Sequence, residues 1–161
     1  MIDKKKMMGE NEHLFDYLEG EVECMKEMSF EYIVELKEFL QDDEYFYMVL
    51  EYCDGGDLMN LQAKQPNKVF TLALATEYIS QVILGLESLH RRGYLHRDIK
   101  PQNVLVKEEK GLKVFKIADF GFTKKATNVE GTVLGTEQFM APEIYKQGIE
   151  GAEDDSEYYG Y

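Results

Sequence analysis

The chain has 161 residues, 44% hydrophobic and 12% aromatic, enough to bury a core and too apolar for a disordered segment. Its net charge of −13 argues against binding to nucleic-acid backbones or anionic membrane surfaces. No run approaches the roughly 20 apolar residues of a membrane span, and Lys4-Lys5-Lys6 has no apolar stretch behind it, so no signal peptide is read.

In chain order, residues 11–28 carry Leu14, Phe15, Leu18, Val22, Met25 and Met28 at helical spacing, which predicts an amphipathic helix. Val34–Leu40 alternates as a strand, with a slip before Phe39-Leu40. Tyr45–Glu51 is rich in β-formers, and Gln41-Asp42-Asp43-Glu44 between them predicts a hairpin turn. Asp54-Gly55-Gly56 breaks the chain before a short helix from Asp57 to about Lys64. Leu72–His90 predicts a long helix with Ala75, Ile79, Val82, Ile83, Leu86 and Leu89 as its buried stripe, stopped by Arg91-Arg92-Gly93. Val104–Val106 and Val114–Ala118 read as short strands around the polar turn Lys107–Gly111. The acidic run Glu150, Glu153, Asp154, Asp155 and Glu157 reads as a solvated loop or tail. Cys24 and Cys53 lack metal-ligand spacing and read as reduced thiols, which points to a soluble, cytoplasmic protein.

One string outweighs the rest. Residues 96–103 read His-Arg-Asp-Ile-Lys-Pro-Gln-Asn. Sixteen residues after Asn103 comes Asp119-Phe120-Gly121, and Ala141-Pro142-Glu143 closes the segment. An isolated Asp or Lys is usually a solvated surface group, but this ordered set resembles the catalytic core of a eukaryotic protein kinase. The fold implied is α+β and two-lobed. Residues 1–53 would supply part of the sheet lobe and the hinge. Residues 54–161 would supply the first part of the helical lobe, through the activation segment.

The resemblance implies transfer of the ATP γ-phosphate to serine or threonine hydroxyls of a protein substrate. Asp98 would orient the substrate hydroxyl and take its proton, and Lys100 would neutralise charge on the γ-phosphate. Lys100 and Gly135-Thr136 match the serine/threonine branch, where the Thr136 hydroxyl can bond the aspartate and the lysine. Glu137 departs from the proline often found there. Asn103 and Asp119 would hold Mg2+, a hard ion that keeps waters and needs few protein ligands. The carbonyl of Glu51 and the backbone of Cys53 would bond adenine, with Leu50 as gatekeeper. Asp57 would reach the ribose while capping a helix. Leu58 and Leu105 would pack around and beneath the ring. Glu21 would pair with the phosphate-binding lysine, and Met25, Leu36, His96 and Phe120 would stack as a hydrophobic spine. Arg97 could grip a phosphate on the activation segment, on Thr132 or less well on Thr127.

Two family features have no counterpart. There is no Gly-rich phosphate loop and no phosphate-binding lysine, and residues 1–6 look like those just after that lysine. Ile2 would face the buried side of a strand and Lys4, Lys5 and Lys6 would face solvent. The arginine that would pair with Glu143 is also missing, so the chain reads as a partial domain of poor stability. Against an active kinase stands a pseudokinase or binding module that keeps part of the fold. The hinge string Glu51-Tyr52-Cys53 with Gly55-Gly56-Asp57-Leu58, and Asp119-Phe120-Gly121-Phe122, look similar to the autophagy-initiating kinases.

Overall fold

In the computed structural model, which describes residues 1–10, 13–128 and 134–150, strand β1 (Ile2–Asp3) runs directly into helix α1 (Lys4–Glu10). Asp3 starts that helix: its Oδ1 accepts the N–H groups of Lys5 and Lys6 at 2.9 and 3.1 Å. This corrects the solvent-facing reading of Lys4. It lies half-buried, its Nζ donates to Gln41 Oε1 and to the Asp42 carbonyl, and it sits 4.5 Å from the centre of the Phe46 ring. Lys5 and Lys6 are exposed as expected. Helix α2 (His13–Glu27) then turns Leu18, Val22, Cys24 and Met25 inward.

Strands β2 (Leu36–Gln41) and β3 (Tyr45–Leu50) form the expected antiparallel hairpin, and β1 pairs on the far side of β3. Asp42 shapes the turn: Oδ1 accepts from the N–H groups of Glu44 and Tyr45, and Oδ2 from the Tyr47 hydroxyl. A register shift between Leu36 and Glu38 is the physical form of the slip in the alternation.

Past the hinge come α3 (Leu58–Ala63) and α4 (Leu72–His90). Helix α4 has the expected bounds but a different inner face. It buries Gly85, Ser88 and Leu89 with Val82 and Leu86 alongside, and leaves Ile79 and Ile83 exposed. The periodicity predicted a stripe that wide, whereas the described residues cover only one side of it. Strand β4 (Tyr94–Leu95) leads into the segment of the motif. Strands β5 (Val104–Glu109) and β6 (Leu112–Ile117) pair throughout. Both extend further toward the turn than the polar residues suggested, because Lys110 (φ 52°) and Gly111 (φ 81°) close the hairpin in two residues. Strand β7 (Lys124–Lys125) pairs with β4, a contact the sequence pattern did not announce. Helix α5 (Pro142–Glu150) carries the Pro142-Glu143 end of the third motif.

The architecture is therefore α+β, helices over small antiparallel sheets. One apolar cluster joins Cys24, Met25, Met28 and Ile33 to Leu89, Tyr94, Ile117 and Phe120. A second seals α1 and α2 onto the sheet through Met7, Leu18, Val22 and Phe46. The third packs α3 and α4 on β5 and β6 through Leu58, Val104, Val106 and Phe115. The loop after α2 is tied to β6 by backbone bonds, Val34 N–H to Ile117 O and Ile117 N–H to Tyr32 O, both 2.9 Å.

Candidate active site

The catalytic-loop string lies between β4 and β5. Two backbone features hold it there. Arg97 adopts a left-handed φ of 68°, unusual for a residue with a Cβ, and Ala118 N–H donates to the Asn103 carbonyl at 2.9 Å. The second bond sets Asp119 one residue from the contact between loop and strand. Asp119 itself has φ 61° and is exposed. Left-handed residues other than glycine cluster at functional sites because the surrounding structure must hold them.

Asp98 is the centre of a small polar network. It is 4% exposed. Lys100 Nζ donates to its Oδ2 at 2.5 Å, and Thr136 donates to its Oδ1 through both N–H (2.9 Å) and hydroxyl (2.8 Å). Asn103 Nδ2 donates to the Asp98 carbonyl at 2.9 Å and to Oδ2 at 3.1 Å. Lys100 also donates to Thr136 Oγ1 at 2.9 Å. Burial alone would raise the Asp98 carboxyl. The hydrogen bonds from Lys100 and Thr136 outweigh it and hold the group below the usual carboxylate range. Gly135 makes the approach possible: its φ is 124°, and a Cβ there would come within 2.7 Å of the Arg97 carbonyl. Residues 98, 100, 103 and 136, picked from the sequence, are thus brought together.

With Nδ2 of Asn103 committed to Asp98, its Oδ1 remains as a hard oxygen ligand, one bonded segment away from the exposed Asp119 carboxylate. Among the described residues no group of three or more His, Cys, Asp or Glu could hold a metal ion unaided. An amide and a carboxylate fit a magnesium ion only where phosphate oxygens and waters complete the shell.

His96 is 2% exposed and stands edge-on to Phe120, ring centres 5.2 Å apart. Its Nε2 lies 3.0 Å from the Ala118 carbonyl and its Nδ1 takes the Asp98 N–H. Burial pushes the imidazole below its ordinary value, which suits the neutral ring these two contacts require. Phe120 is fully buried with Met25, and Leu36 packs on the same cluster. Glu21 of α2 is aimed at this place too. Burial and then the Asp119 charge raise its carboxyl, against a lowering hydrogen bond from the Phe120 backbone. No ion pair to Glu21 occurs among the described residues.

The hinge residues fall as follows. Glu51 and Cys53 are half-buried and Leu50 is 44% exposed. Asp57 caps α3, its Oδ1 accepting Asn60 N–H at 2.7 Å and Oδ2 the Asn60 amide at 2.6 Å, so both oxygens already have a donor. Leu105 pairs with Asp57 across an isolated bridge, beside buried Leu58. Arg97 donates through Nε to the Phe122 carbonyl at 2.6 Å, while Nη1 and Nη2 are buried and have no hydrogen-bond partner among the described residues. Thr132 lies outside the described residues. Glu143 is exposed. Sequence reasoning missed Lys116, 6% exposed and ion-paired to Glu51. A lone lysine inside Val114-Phe115-Lys116-Ile117 was the available signal.

Over residues 1–158 the chain matches the protein kinase domain family. Rho-associated protein kinase 1 of the rabbit, Oryctolagus cuniculus, is 36% identical over 168 residues, which cover 99% of this chain and 11% of that protein. CBL-interacting serine/threonine-protein kinase 2 of Arabidopsis thaliana is 35% identical, covering 96% of this chain and 34% of its own length. Serine/threonine-protein kinase ATG1a of the same plant is 33% identical, covering 90% and 23%. The chain thus spans at most 34% of the length of these relatives. An ATG1 kinase stands among them at an identity close to that of the differently named ones. The match takes in every residue of the Asp98 network, and the chain belongs to the protein kinase domain family.

Proposed function

We propose that this chain is the catalytic part of a cytoplasmic serine/threonine protein kinase that transfers the γ-phosphate of Mg2+-bound ATP to a protein hydroxyl. The observation that carries the reading is the Asp98 network, in which Lys100, Thr136 and Asn103 converge on one buried carboxylate kept ionised. An ionised carboxylate can accept a proton, and one held on three sides presents it in a fixed direction. The substrate oxygen attacks the γ-phosphorus, the bond from that phosphorus to the β-γ bridging oxygen breaks, ADP leaves, and Asp98 takes the hydroxyl proton. Lys100 stands beside the attacked group and compensates its negative charge. Asn103 Oδ1 and Asp119 would hold Mg2+, which would neutralise phosphate charge. The backbone of Glu51 and Cys53 would meet adenine over Leu105, and Asp57 would reach the ribose by exchanging a bond with Asn60. Residues 1–53 belong to the sheet lobe and 54–161 to the helical lobe on this reading.

The partner of Glu21 is proposed to come from a longer chain. Ile2 pairs with Phe46 across the antiparallel sheet. A residue immediately before Met1 would continue β1 opposite Met48, on the face that α2 covers. A lysine there would reach Glu21 and the phosphates. The buried Nη1 and Nη2 of Arg97, without a partner among the described residues, support a phosphate grip for a modified Thr132.

The test is phosphate transfer from Mg-ATP to a basic protein by the full-length protein and its Asp98→Asn variant. The variant should lose about 10²–10⁴ in rate, the usual range for a positioned proton acceptor. Equal rates would remove Asp98 from the role. One observation favours a second reading, a binding module without turnover: Glu21 has Asp119, not a cation, as its charged neighbour. Mg-ATP binding with no transfer by the full-length protein would establish it.

A further inference from the structure

The side chain of Glu51 has a place of its own, apart from any contact its carbonyl makes. Its carboxylate is 8% exposed and lies between two ammonium groups. Lys107 Nζ is 2.6 Å from Oε1 and Lys116 Nζ is 3.1 Å from Oε2. Oε2 also accepts the Glu35 N–H at 3.3 Å. Lys116 is itself 7% exposed along its side chain and donates to the Glu31 carbonyl at 2.6 Å. A surface ion pair would deserve little weight. The Lys116–Glu51 contact is removed from water on both sides, so losing either partner leaves a charge undercompensated, whereas Lys107 is 29% exposed and also meets Glu109 Oε1 at 2.6 Å.

The two lysines are placed by the β5–β6 register. Lys116 stands directly opposite Leu105, and Lys107 lies two residues along β5 from Leu105. All three therefore share one face of the hairpin. It is the face on which the hinge strand ends. The hinge beyond Glu51 is stitched to the same hairpin. Gly55 N–H donates to the Val106 carbonyl and Val106 N–H to the Gly56 carbonyl, both at 2.8 Å. Asp54 Oδ1 takes the Glu108 N–H at 2.9 Å. A Cβ on Gly55 would come within 2.8 Å of the Val106 carbonyl. Residues 51 and 54–56 are thus both anchored. Between them, the Glu51 carbonyl and the Cys53 N–H make no backbone hydrogen bond among the described residues.

We propose that the Lys107–Glu51–Lys116 cluster is a positioning device for the purine base: it fixes the main chain of residues 51–53 over the Leu105 floor. Neither lysine touches the nucleotide. Lys116 also reaches the loop after α2 through Glu31, and three residues further along the chain, just past the end of β6, stands Asp119. One buried cation thereby ties the base-reading hinge, the α2 loop and the metal-binding end of β6 to a common frame. The inference rests on the nucleotide site proposed above.

Binding by the full-length protein of two magnesium-complexed probes, ATP and inorganic tripolyphosphate, tests it by calorimetry. Lys116→Met should weaken ATP by about tenfold, the loss expected when one charged hydrogen bond no longer orders its group, and should leave tripolyphosphate unchanged. Lys107→Met, at a more exposed position and safe for folding, should do the same to a smaller degree. Glu51→Gln added to Lys116→Met should cost no more than the smaller loss seen in Lys107→Met, because the Lys116 contribution has already gone and only the Lys107 pair remains to be lost. Equal weakening of both probes would mean a merely structural role and would overturn the proposal, as would unaltered ATP binding in both lysine variants. An unsubstituted protein that bound neither probe would overturn the nucleotide site itself, and the cluster's role with it.

Discussion

Glu21 is where a single residue says most about its surroundings. Its carboxyl is raised first by burial and then by the Asp119 charge. A carboxyl whose folded-state value is raised keeps its proton to higher pH when folded than when unfolded. Stability then falls as pH rises through the window above 4.5, and the ionised group is a net cost beyond it. Glu21→Gln keeps the shape and removes the charge. In the 161-residue chain it should raise the thermal midpoint at pH 7 by about 3 °C, with the gain shrinking as pH is lowered through that window. Following the difference between variant and parent isolates Glu21 from His96, whose value is shifted the other way. In a longer protein with a lysine preceding Met1 the same substitution should lower the midpoint. A drop in the 161-residue chain would contradict the account of Glu21. Asp98, Asn103 and Asp119 were legible in the sequence through the resemblance of their strings to the protein kinase core, and the structure joins Asp98 and Asn103 in one network. The charge on Glu51 was not, because its two lysine partners, at 107 and 116, lie far along the chain and meet it only through the hairpin register.

At the scale of elements, two helical glycines make the argument from space rather than propensity. Gly85 lies inside α4, where a Cβ would come within 2.9 Å of both Ile117 Cδ1 and the Tyr32 carbonyl. The absence of a side chain lets α4 close on β6 and on the loop after α2. Alanine favours a helix by about 1 kcal/mol over glycine, but the clash with a backbone oxygen costs about 1–3 kcal/mol. Gly85→Ala should therefore lower the midpoint of unfolding. Gly20 in α2 is the control, since a Cβ there meets nothing within 4 Å. Gly20→Ala should raise the midpoint by the propensity term alone. Paired scans of the two variants by circular dichroism check this, and a matching sign in both would refute the packing account. The existence of α2, α3, α4 and of strands β2, β3, β5 and β6 was readable from the sequence pattern, down to the bounds of α4, whereas α1 was not. The β4–β7 pair was not, because two residues carry no period and their pairing depends on how the activation segment returns.

For the whole molecule, the unsatisfied feature is apolar surface on α4. Leu72, Ile79 and Ile83 are 84%, 45% and 58% exposed. Their spacings of seven and eleven residues put them within about 20° of one line on a helix. A continuous stripe of this kind is a liability for a soluble monomer. The 161-residue chain on its own should self-associate at micromolar concentration, and Ile79→Lys with Ile83→Glu should shift it toward monomer in sedimentation velocity. A monomeric parent chain with one cooperative unfolding transition would show the stripe to be harmless. The linear order of residues determined by itself the chemistry on offer: an acid, a lysine, an amide and a second acid in strings that resemble the protein kinase core, and the helical and strand periods that carry them. Which of those groups share one network, whether Glu21 faces a cation or an anion, and how a buried lysine reaches the hinge were decided by tertiary structure alone. Local period reports a face, whereas charge pairing and burial depend on which distant segment the chain folds against that face.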